Sequence, residues 1–418
     1  MSKEESKNHP ILKAVLDNPE ARKALEGHLK SGKDLFGKES PFTELLQGMV
    51  NVALEGELDA HLEEDHMEGR RNKRNGHTSK QVLSSSGELT IKTPRDRKGS
   101  FEPELVAKRS RQLQSGLDDQ IIALYAQGNS VEDVRRLLHE FYGVSISAGK
   151  ISTITDRVLV EISDWQQRPL LAFYVVIYLD AIHFNVRHEG KYESRAFYTV
   201  YGTDIEGNRD LLGMFIFDNE GAKSWGLVLE DLQRRGVEDV LFFCTDNLQG
   251  FSESIKEVFP TSIIQKCIVH QMRNSTRFCD EKDRKEVVKD LKKIYQSASR
   301  TQAQLHLEAF EAKWGKKYGH IVKSWTDNWE ELTAFMDYPK DLRRILYTTN
   351  PVEALHRIMR KMVKSKAAWV SDQALIKQLY LSLMYNQKSW RKKTYNWKVC
   401  QRAMIKQFGE RVTKHLSI

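Results

Sequence analysis

Short apolar runs alternate with helical periodicity in the middle of this chain. The runs 173–179 and 239–245 are continuously apolar and rich in β-branched and aromatic residues, a pattern typical of strands buried on both faces. The same reasoning predicts strands to Asn185, near 195–201, near 211–217 and over 263–269, a turn at Gly190, and a helix over about 222–235. Three strands, a helix and a fourth strand match the order of a ribonuclease H-like α/β core.

The segments on either side of this core have helical or basic patterns. Residues 10–68 have apolar positions at helical spacing, 88–92 is a strand candidate, and three helix candidates (117–126, 130–141 and 147–163) include N-caps at Ser130 and Ser147. That spacing permits a helix-turn-helix, and an ordinary helical bundle fits it equally. The residues from about 283 to 337 are helical in pattern, as are those from Glu353 to about Lys414.

These patterns predict six regions. They are a helical N-terminal region with a possible dimerisation role (1–68), a basic β-containing arm (69–116), a helix-turn-helix-like DNA-binding domain (117–168), the first part of the core (169–275), an all-helical insertion (276–340), and the last part of the core with a basic helical tail (341–418).

Composition is that of a folded protein, with 418 residues, 40% of them hydrophobic, and only nine prolines. No apolar signal segment or membrane-spanning run is present, so we expect a cytoplasmic, nucleoid-associated protein without a membrane partner. The four cysteines are too scattered for a disulfide framework, and no CxxC pair indicates structural zinc.

Charge is distributed unevenly along the chain. Residues 354–418 hold 15 Lys and Arg against 2 Asp and Glu, and residues 69–111 hold 12 against 4, whereas the rest of the chain is acidic. Lys and Arg neutralise phosphates and release counterions, so nucleic acid is the partner that best explains two basic regions. A merely solvated basic face remains the alternative. Trp390, Tyr395 and Trp397 in the tail could stack on bases or pack in the core.

Three carboxylates are the candidate chemistry. Asp180 and Asp246 each close an apolar strand, and Glu353 falls in the first turn of a helix that Asn350 can cap and Pro351 can begin. Carboxylates on separate elements suit two Mg²⁺ ions about 3.5 to 4 Å apart, and hence phosphoryl transfer. The alternative is that each Asp only forms a turn and that Asn350 and Glu353 form a capping box.

Further candidates lie between the second and third carboxylates. Cys267 and His270 have a CxxH spacing, but two such ligands are only half of a tetrahedral zinc site.

In its motifs the chain resembles the mutator-type bacterial insertion-sequence transposases, which are DDE transposases. The motifs are Leu179-Asp180-Ala181, Thr245-Asp246, Cys267-Ile268-Val269-His270, Tyr347-Thr348-Thr349-Asn350-Pro351-Val352-Glu353, and the N-terminal Arg74-Asn75-Gly76-His77 and Ile91-Lys92-Thr93-Pro94-Arg95. Pro351-Val352 departs mildly from the family pattern, which usually has Ala-Ile or similar before the Glu. The resemblance implies that Cys267 and His270 support the core or contact DNA. By the same analogy Trp329 could stack on a distorted base, and the alternative is that it packs in the core.

This resemblance implies an RNase H-like core interrupted by an all-helical insertion, with Asp180, Asp246 and Glu353 as catalytic residues and ligands of two Mg²⁺ or Mn²⁺ ions. It implies cleavage and strand transfer at the terminal inverted repeats of an insertion sequence, with double-stranded DNA as substrate and target, a homodimer or higher oligomer, and no small-molecule substrate. The remaining alternatives are a structure-specific nuclease of the same fold and a non-catalytic DNA-binding regulator. Candidate DNA contacts are Arg70, Arg71, Lys73, Arg74, Arg95, Arg97, Trp329, Arg357, Arg360, Lys361 and Lys364.

Overall fold

A computed structural model describes residues 19–31, 40–84, 87–108, 117–142, 144–347, 350–366 and 368–416. Within these ranges a few side chains, including those of Glu353 and Lys364, lie outside the description. The chain divides into two compact units, Met1–Arg157 and Val158–Ile418. It is a mixed α/β protein with a helical majority. No helix in the described ranges has the length and apolar character needed to cross a membrane.

The first unit is built on a long helix and a β-hairpin. Its elements are α1 (Pro19–Lys30), α2 (Pro41–Met67), β1 (Arg74–Ser84), β2 (Gly87–Asp96), α3 (Leu117–Ala126), α4 (Val131–Tyr142) and α5 (Ala148–Asp156). Ser40 caps α2 by accepting a hydrogen bond from the Thr43 N–H at 3.2 Å. Val50 and Leu54 of α2 pack against Leu89 and Ile91 of the antiparallel hairpin, which buries one face of each.

Both predicted caps in this unit are present. Ser130 Oγ accepts from the Asp133 N–H at 3.0 Å while the Asp133 carboxylate accepts from the Ser130 N–H at 3.1 Å, which is a reciprocal capping arrangement. Ser147 Oγ accepts from the Lys150 N–H at 3.2 Å.

The predicted helix over 147–163 is wrong in its extent, because it divides into two helices. Ile151 and Ile154 of α5 are buried within the first unit. Val158 and Ile162 belong to a separate helix, α6 (Val158–Gln167), which packs within the second unit. The apolar positions of one continuous helical pattern are therefore divided between the hydrophobic cores of the two units.

The second unit contains a five-stranded mixed sheet. Its strands are β3 (Phe173–His188), β4 (Lys191–Thr203), β5 (Arg209–Phe217), β6 (Asp239–Thr245) and β7 (Ile263–Lys266), in the spatial order β5-β4-β3-β6-β7. The first three are antiparallel neighbours, and β6 and β7 run parallel to β3. The predicted order of elements along the chain, three strands, a helix and two further strands, is confirmed, although β7 is shorter than the predicted 263–269.

The prediction that Asp180 ends its strand is wrong. The parallel pairing of β3 with β6 stops at Tyr178 opposite Cys244, but β3 continues to His188 because it forms an antiparallel hairpin with β4. Glu189 and Gly190 make the two-residue turn, and both have positive φ, at 47° and 83°. Asp180 therefore lies within a strand, at the point where its neighbour on one side ends.

Helices cover the sheet and follow it along the chain. Helix α7 (Ala222–Arg234) packs Trp225 and Val228 against Tyr198 and Ile177 of the sheet. Helix α8 (Phe251–Val258) precedes β7, and α9 (Ile268–Arg277), α10 (Glu281–Tyr295), α11 (Arg300–Asp327), α12 (Trp329–Thr333) and a 3₁₀ turn (Ala334–Asp337) follow it. The helical pattern predicted for about 283–337 is therefore present, and the prediction that these helices are an insertion in the core stays a prediction.

The rest of the chain is mainly helical, as the pattern from Glu353 to about Lys414 predicted. Its helices are α13 (Lys340–Tyr347), α14 (Asn350–Ser365), α15 (Asp372–Tyr385), α16 (Gln387–Trp390), α17 (Trp397–Phe408) and α18 (Glu410–Thr413). Trp369 bridges back to the end of β3, where its N–H donates to Asn185 O at 2.9 Å and its carbonyl accepts from the Arg187 N–H at 2.8 Å.

Two of the three aromatic residues of the tail pack rather than face solvent. Trp390 is 2% exposed and donates to Leu383 O, and Trp397 is 5% exposed and donates to Ile205 O, both at 2.8 Å. Tyr395 is 73% exposed, and the Arg344 guanidinium lies 5.8 Å from its ring centroid. Tyr395 therefore remains available to a base.

Candidate active site

The two aspartates lie at matching positions along neighbouring parallel strands, Asp180 within β3 and Asp246 directly after β6. Tyr178 of β3 lies opposite Cys244 of β6, so Asp180 and Asp246 each lie two residues beyond that pair, at one edge of the sheet. Both line one small cavity, together with Thr245, His270 and Val352. The structure thus brings together two acidic side chains that are 66 positions apart in the sequence.

The electrostatics of Asp180 are those of a buried carboxyl beside a second acid. Burial, followed by the charge of Asp246, raises the pKa of Asp180 from its ordinary value of 3.8 to about 7. The charges of Arg360 and Arg273 act in the opposite direction. Arg273, on α9, was not among the residues that the sequence indicated, and it is exposed near the aspartates.

His356 is a second residue that sequence reasoning missed. It is 4% exposed on α14, and its Nδ1 lies 3.6 Å from Asp180 Oδ2. Burial, followed by the charge of Arg360, lowers the pKa of His356 to about 3, so the imidazole is neutral near pH 7. Its Nε2 has no hydrogen-bond partner among the described residues. The sequence feature that could have indicated His356 is its position three residues after Glu353, which places both on the same side of the helix.

Cys267 and His270 lie in the wall of the same cavity. Strand β7 ends at Lys266, and the Cys267 N–H donates to Thr245 O at 2.7 Å, which fixes the start of α9 beside Asp246. Burial raises the pKa of the Cys267 thiol to about 11, and burial also lowers the pKa of His270. The thiol is thus protonated near neutral pH, unlike a metal-bound thiolate. The predicted supporting role of this pair stays a prediction.

The loop after Asp246 is connected by hydrogen bonds to helix α9 and, through it, to α11. The Leu248 N–H donates to Asp246 Oδ1 at 3.3 Å, and the Asn247 amide donates to the Gln271 side chain. Gln271 in turn donates to Ser324 Oγ at 3.1 Å on α11. Contacts of this kind hold the second aspartate in place through a segment remote in sequence.

Glu353 lies in the first turn of α14, as predicted, although α14 begins at Asn350, one residue before the start predicted at Pro351. Its side chain lies outside the described residues, as does that of Lys364. Its neighbours Val352 and Leu355 are buried, and Val352 contributes to the cavity wall. Among the side chains that the structure describes, no group of three or more His, Cys, Asp and Glu is placed to hold a metal ion.

The predicted DNA contacts differ in how available their charges are. Arg74 pairs with Glu55 and Asp59 of α2, and Arg70 pairs with Asp65 at 2.8 Å. The others with described side chains are exposed, except for the partly buried Trp329: Arg71, Lys73, Arg95, Arg97, Arg357, Arg360 and Lys361. Arg70 and Arg74 are therefore held by carboxylates of their own unit.

The Asp180→Asn substitution is expected to stabilise the second unit in EDTA at pH 8. Because the pKa of Asp180 is raised to about 7, its contribution to stability is most favourable below about pH 4 and is lost as the pH rises through 7. We expect a gain of roughly 2 to 4 kcal/mol at pH 8 and a smaller gain at pH 5. Urea unfolding followed by tryptophan fluorescence measures it, since all eight tryptophans lie in Val158–Ile418.

The exposed Asp164 provides the matched control, since Asp164→Asn makes the same chemical change on the surface of α6. That variant should unfold like the wild type at both pH values. An Asp180→Asn variant that is less stable than the wild type at pH 8 would contradict the prediction that repulsion and burial dominate at this position.

Comparison with known proteins identifies the class. The family described as "Transposase, Mutator family" matches residues 20–393. The chain therefore belongs to the Mutator family of transposases, as its motifs indicated.

Similar relatives are themselves insertion-sequence transposases. The chain is 39% identical over 394 residues to the "Transposase for insertion sequence element ISRM3" of Rhizobium meliloti, covering 93% of this chain and 98% of the relative. It is 38% identical, with the same coverage, to the "Probable transposase for insertion sequence element ISRM3-like" of Sinorhizobium fredii. A solved structure, the "Drosophila P element transposase strand transfer complex", covers 72% of this chain and 87% of its own at 10% identity and a TM-score of 0.28, which is too low to carry any argument.

Proposed function

We propose that this transposase cuts and joins DNA strands at the edge of the sheet where β3 and β6 diverge, with Asp180, Asp246 and Glu353 as its catalytic carboxylates. The observation that carries the proposal is the parallel register of β3 and β6, because Asp180 and Asp246 each lie two residues beyond its last pair. Glu353 is assigned from its place in the first turn of α14, next to the cavity-lining Val352.

The sheet supports an RNase H-like core for this site. Three antiparallel strands are followed by α7 and two strands parallel to the first, in the order β5-β4-β3-β6-β7. In this proposal, the helices between β7 and α14 are an insertion in the RNase H-like core. On this reading the insertion separates Asp246 from Glu353 in sequence while both belong to one site.

The donor set fits Mg²⁺ or Mn²⁺. Asp180 and Asp246 offer carboxylate oxygens, which hard divalent cations prefer. Burial, followed by the charge of Asp246, raises the pKa of Asp180, and a nearby cation would favour its charged form. Asn247 Oδ1 beside them is also buried without a hydrogen-bond partner among the described residues. Asp180, Asp246 and Glu353 would hold two ions, whose chemistry is to activate the attacking oxygen and stabilise the leaving oxygen.

The chain's own residues supply positioning and charge around the phosphodiester. The exposed cations Arg273 and Arg360 lie near Asp180, where they would neutralise phosphates of the bound strand. The neutral His356 packs against Asp180 and adds no positive charge that would compete with a metal ion. Water or a DNA 3′-hydroxyl would be the nucleophile, so the reaction needs no covalent enzyme intermediate.

DNA recognition is assigned to the basic and helical segments. The substrate of the proposal is the terminal inverted repeats of the element that encodes the protein, bound as double-stranded DNA. Exposed Arg71, Lys73, Arg95 and Arg97 of the hairpin region would contact phosphates. Two ends must be held together for joining, so a homodimer is the smallest assembly proposed.

Strand cleavage and joining by the purified full chain test this function. With a duplex that carries the gene's own flanking sequence, we expect 3′-hydroxyl ends and joined products in Mg²⁺ or Mn²⁺ and neither in EDTA. The requirement arises because the carboxylates repel the phosphate unless cations are present.

The products also distinguish the alternatives. Metal-dependent cleavage without any joined product would identify a nuclease of the same fold rather than a transposase. Specific binding to the flanking sequence with no cleavage in any metal would favour a DNA-binding regulator. A random duplex of equal length and base composition is the matched control for specificity.

A further inference from the structure

A second cavity, of about 800 Å³, lies beside α13 in the second unit. Its wall is formed by the junction of α10 and α11, the 3₁₀ turn, α13 and the start of α17. The volume lies within the range of about 300 to 1,000 Å³ that sites for small molecules and cofactors occupy. The cavity is therefore large enough to hold a ligand.

The wall of this cavity is positively charged. Lys340, Arg343 and Arg344 line it, whereas Asp341 is the one acid among the lining residues that the structure describes. Arg343 is fixed in place, because its guanidinium donates to three backbone carbonyls at 2.7 to 3.0 Å. Lys340 and Arg344 are exposed. The charges favour an anionic ligand, and DNA phosphates are the anions that a transposase meets.

Tyr395 adds an aromatic face to the same wall. Its side chain is 73% exposed, and the Arg344 guanidinium lies 5.8 Å from the ring centroid, within the range of about 6 Å at which a cation attracts an aromatic ring. Exposed aromatic rings beside arginine are typical platforms for unpaired bases, because every base has a π-face. The cavity thus offers a phosphate site and a base site next to each other.

The loop that carries Tyr395 has a fixed backbone. The Thr394 N–H donates to Gly207 O at 2.9 Å, and Thr394 Oγ1 accepts from Arg209 Nε at 3.1 Å. The next residue after Tyr395, Asn396, has φ 55° and ψ 31°, a left-handed conformation that is uncommon for residues other than glycine. Strained residues of this kind are concentrated at functional sites. The exposure of the Tyr395 ring is therefore built into the fold.

Helix α13 connects this cavity to the cavity of the two aspartates. Leu346, near its C-terminal end, lines the cavity of the aspartates, whereas Lys340 and Arg344 line the second cavity. The hydroxyl of Tyr178 in β3 fixes this end of α13, because it donates to Ile345 O at 2.6 Å. Lys340 and Leu346 are about 9 Å apart along the helix axis, which corresponds to roughly three nucleotides of a duplex strand. One DNA strand can therefore reach both cavities.

We propose that the second cavity binds one unpaired nucleotide of the DNA strand held at the catalytic site, with its base on Tyr395 and its phosphate between Arg344 and Lys340. The proposal rests on the proposed function, because that function brings a DNA strand to the neighbouring cavity. A base that leaves the duplex loses its stacked neighbours, and an aromatic platform replaces them. Because an aromatic ring accepts any base, binding should depend only weakly on sequence.

The test is binding of an oligothymidine of about 12 nucleotides to the full-length protein in EDTA, measured by fluorescence anisotropy. Tyr395→Ala should lower the affinity about 5- to 100-fold, which is the loss of one stacked base. Tyr395→Phe keeps the ring and should bind like the wild type. The matched control is Tyr192→Ala, the same change at a tyrosine of β4 that is 70% exposed, and its affinity should also be unchanged.

Two further readouts distinguish direct contact from a structural role. A 2-aminopurine base in the strand loses fluorescence when it stacks on an aromatic ring, so Tyr395→Ala should weaken this quenching and Tyr395→Phe should retain it. Lys340→Ala removes one phosphate contact, so the slope of log affinity against log salt concentration should become shallower by about 0.7. Urea unfolding followed by tryptophan fluorescence checks the folding of each variant, because the buried Trp397 lies two residues after Tyr395.

The outcomes separate this proposal from the function on which it rests. Affinity and quenching of Tyr395→Ala within twofold of the wild type would overturn the nucleotide site, and metal-dependent cleavage by the wild type would still support the proposed function. Strand binding that depends on Tyr395, without cleavage in any metal, would support the nucleotide site and count against the proposed function. Thymidine monophosphate that binds as tightly as the strand would also overturn the proposal, because the cavity would then be a site for a free nucleotide.

Discussion

Replacing Asp246 with Asn is expected to lower the rate of strand cleavage by about 1000-fold or more and to leave DNA affinity nearly unchanged. The substitution removes one charged ligand, and the cations of the proposed mechanism supply several kcal/mol of charge stabilisation in the transition state. Asn has the same shape and retains an oxygen that can accept from the Leu248 N–H, as Asp246 Oδ1 does at 3.3 Å. The loop should therefore keep its conformation.

Single-turnover cleavage of the flanking-sequence duplex, in Mg²⁺ and with enzyme in excess, measures this effect. Fluorescence anisotropy with the same duplex measures binding. Asp164→Asn is the control for a charge change on the same unit at an exposed position. A cleavage rate for Asp246→Asn within tenfold of the wild type would remove Asp246 from the catalytic site, whatever the effect on binding.

Gly207→Ala is expected to destabilise the second unit by roughly 2 to 4 kcal/mol, part of it from a positive φ and part from steric overlap. Gly207 has φ 81° in the turn between β4 and β5, and a Cβ there would lie 2.4 Å from Cγ of Trp397. Trp397 cannot move away freely, because its Nε1 donates to Ile205 O at 2.8 Å. The Thr394 N–H also donates to Gly207 O at 2.9 Å.

Gly190→Ala is the matched control for this prediction. Gly190 has φ 83° in the turn between β3 and β4, but nothing lies within 4 Å of the position of its Cβ. It should cost about 1 kcal/mol, the penalty for left-handed backbone alone. Urea unfolding monitored by tryptophan fluorescence gives both values.

A double-mutant cycle tests the steric part of the argument. Trp397→Ala is destabilising by itself, but in that background the added cost of Gly207→Ala should fall to the cost of Gly190→Ala. Equal costs for the two glycine substitutions in the wild-type background would show that Trp397 accommodates the methyl group. The close packing of α17 on this turn would then contribute little to stability.

Local patterns were enough to predict most elements of the second unit. The apolar runs of β3 and β6, the helical period of α7 and the helices of the insertion all depend on side chains that are near one another in sequence. The caps at Ser130 and Ser147 are similarly local, since each side chain bonds a backbone N–H three residues later. The position of Asp246 directly after β6 followed from the same kind of pattern.

The candidate site was only partly visible in the sequence. Asp180 was expected at a strand end and lies within β3, because the pairing with β4 continues where the pairing with β6 stops. His356 carries no motif of its own. It lies 176 positions after Asp180, so its contact with that residue does not follow from periodicity.

The sequence by itself therefore determined the elements, the family and two carboxylates on adjacent strands. The tertiary structure decided which further groups surround those carboxylates, and it decided that α17 packs its Trp397 against Gly207, 190 positions earlier. The physical reason is that helix and strand formation depend on near neighbours. Contacts between remote segments depend instead on shape, burial and charge that arise only when the sheet and its helices come together.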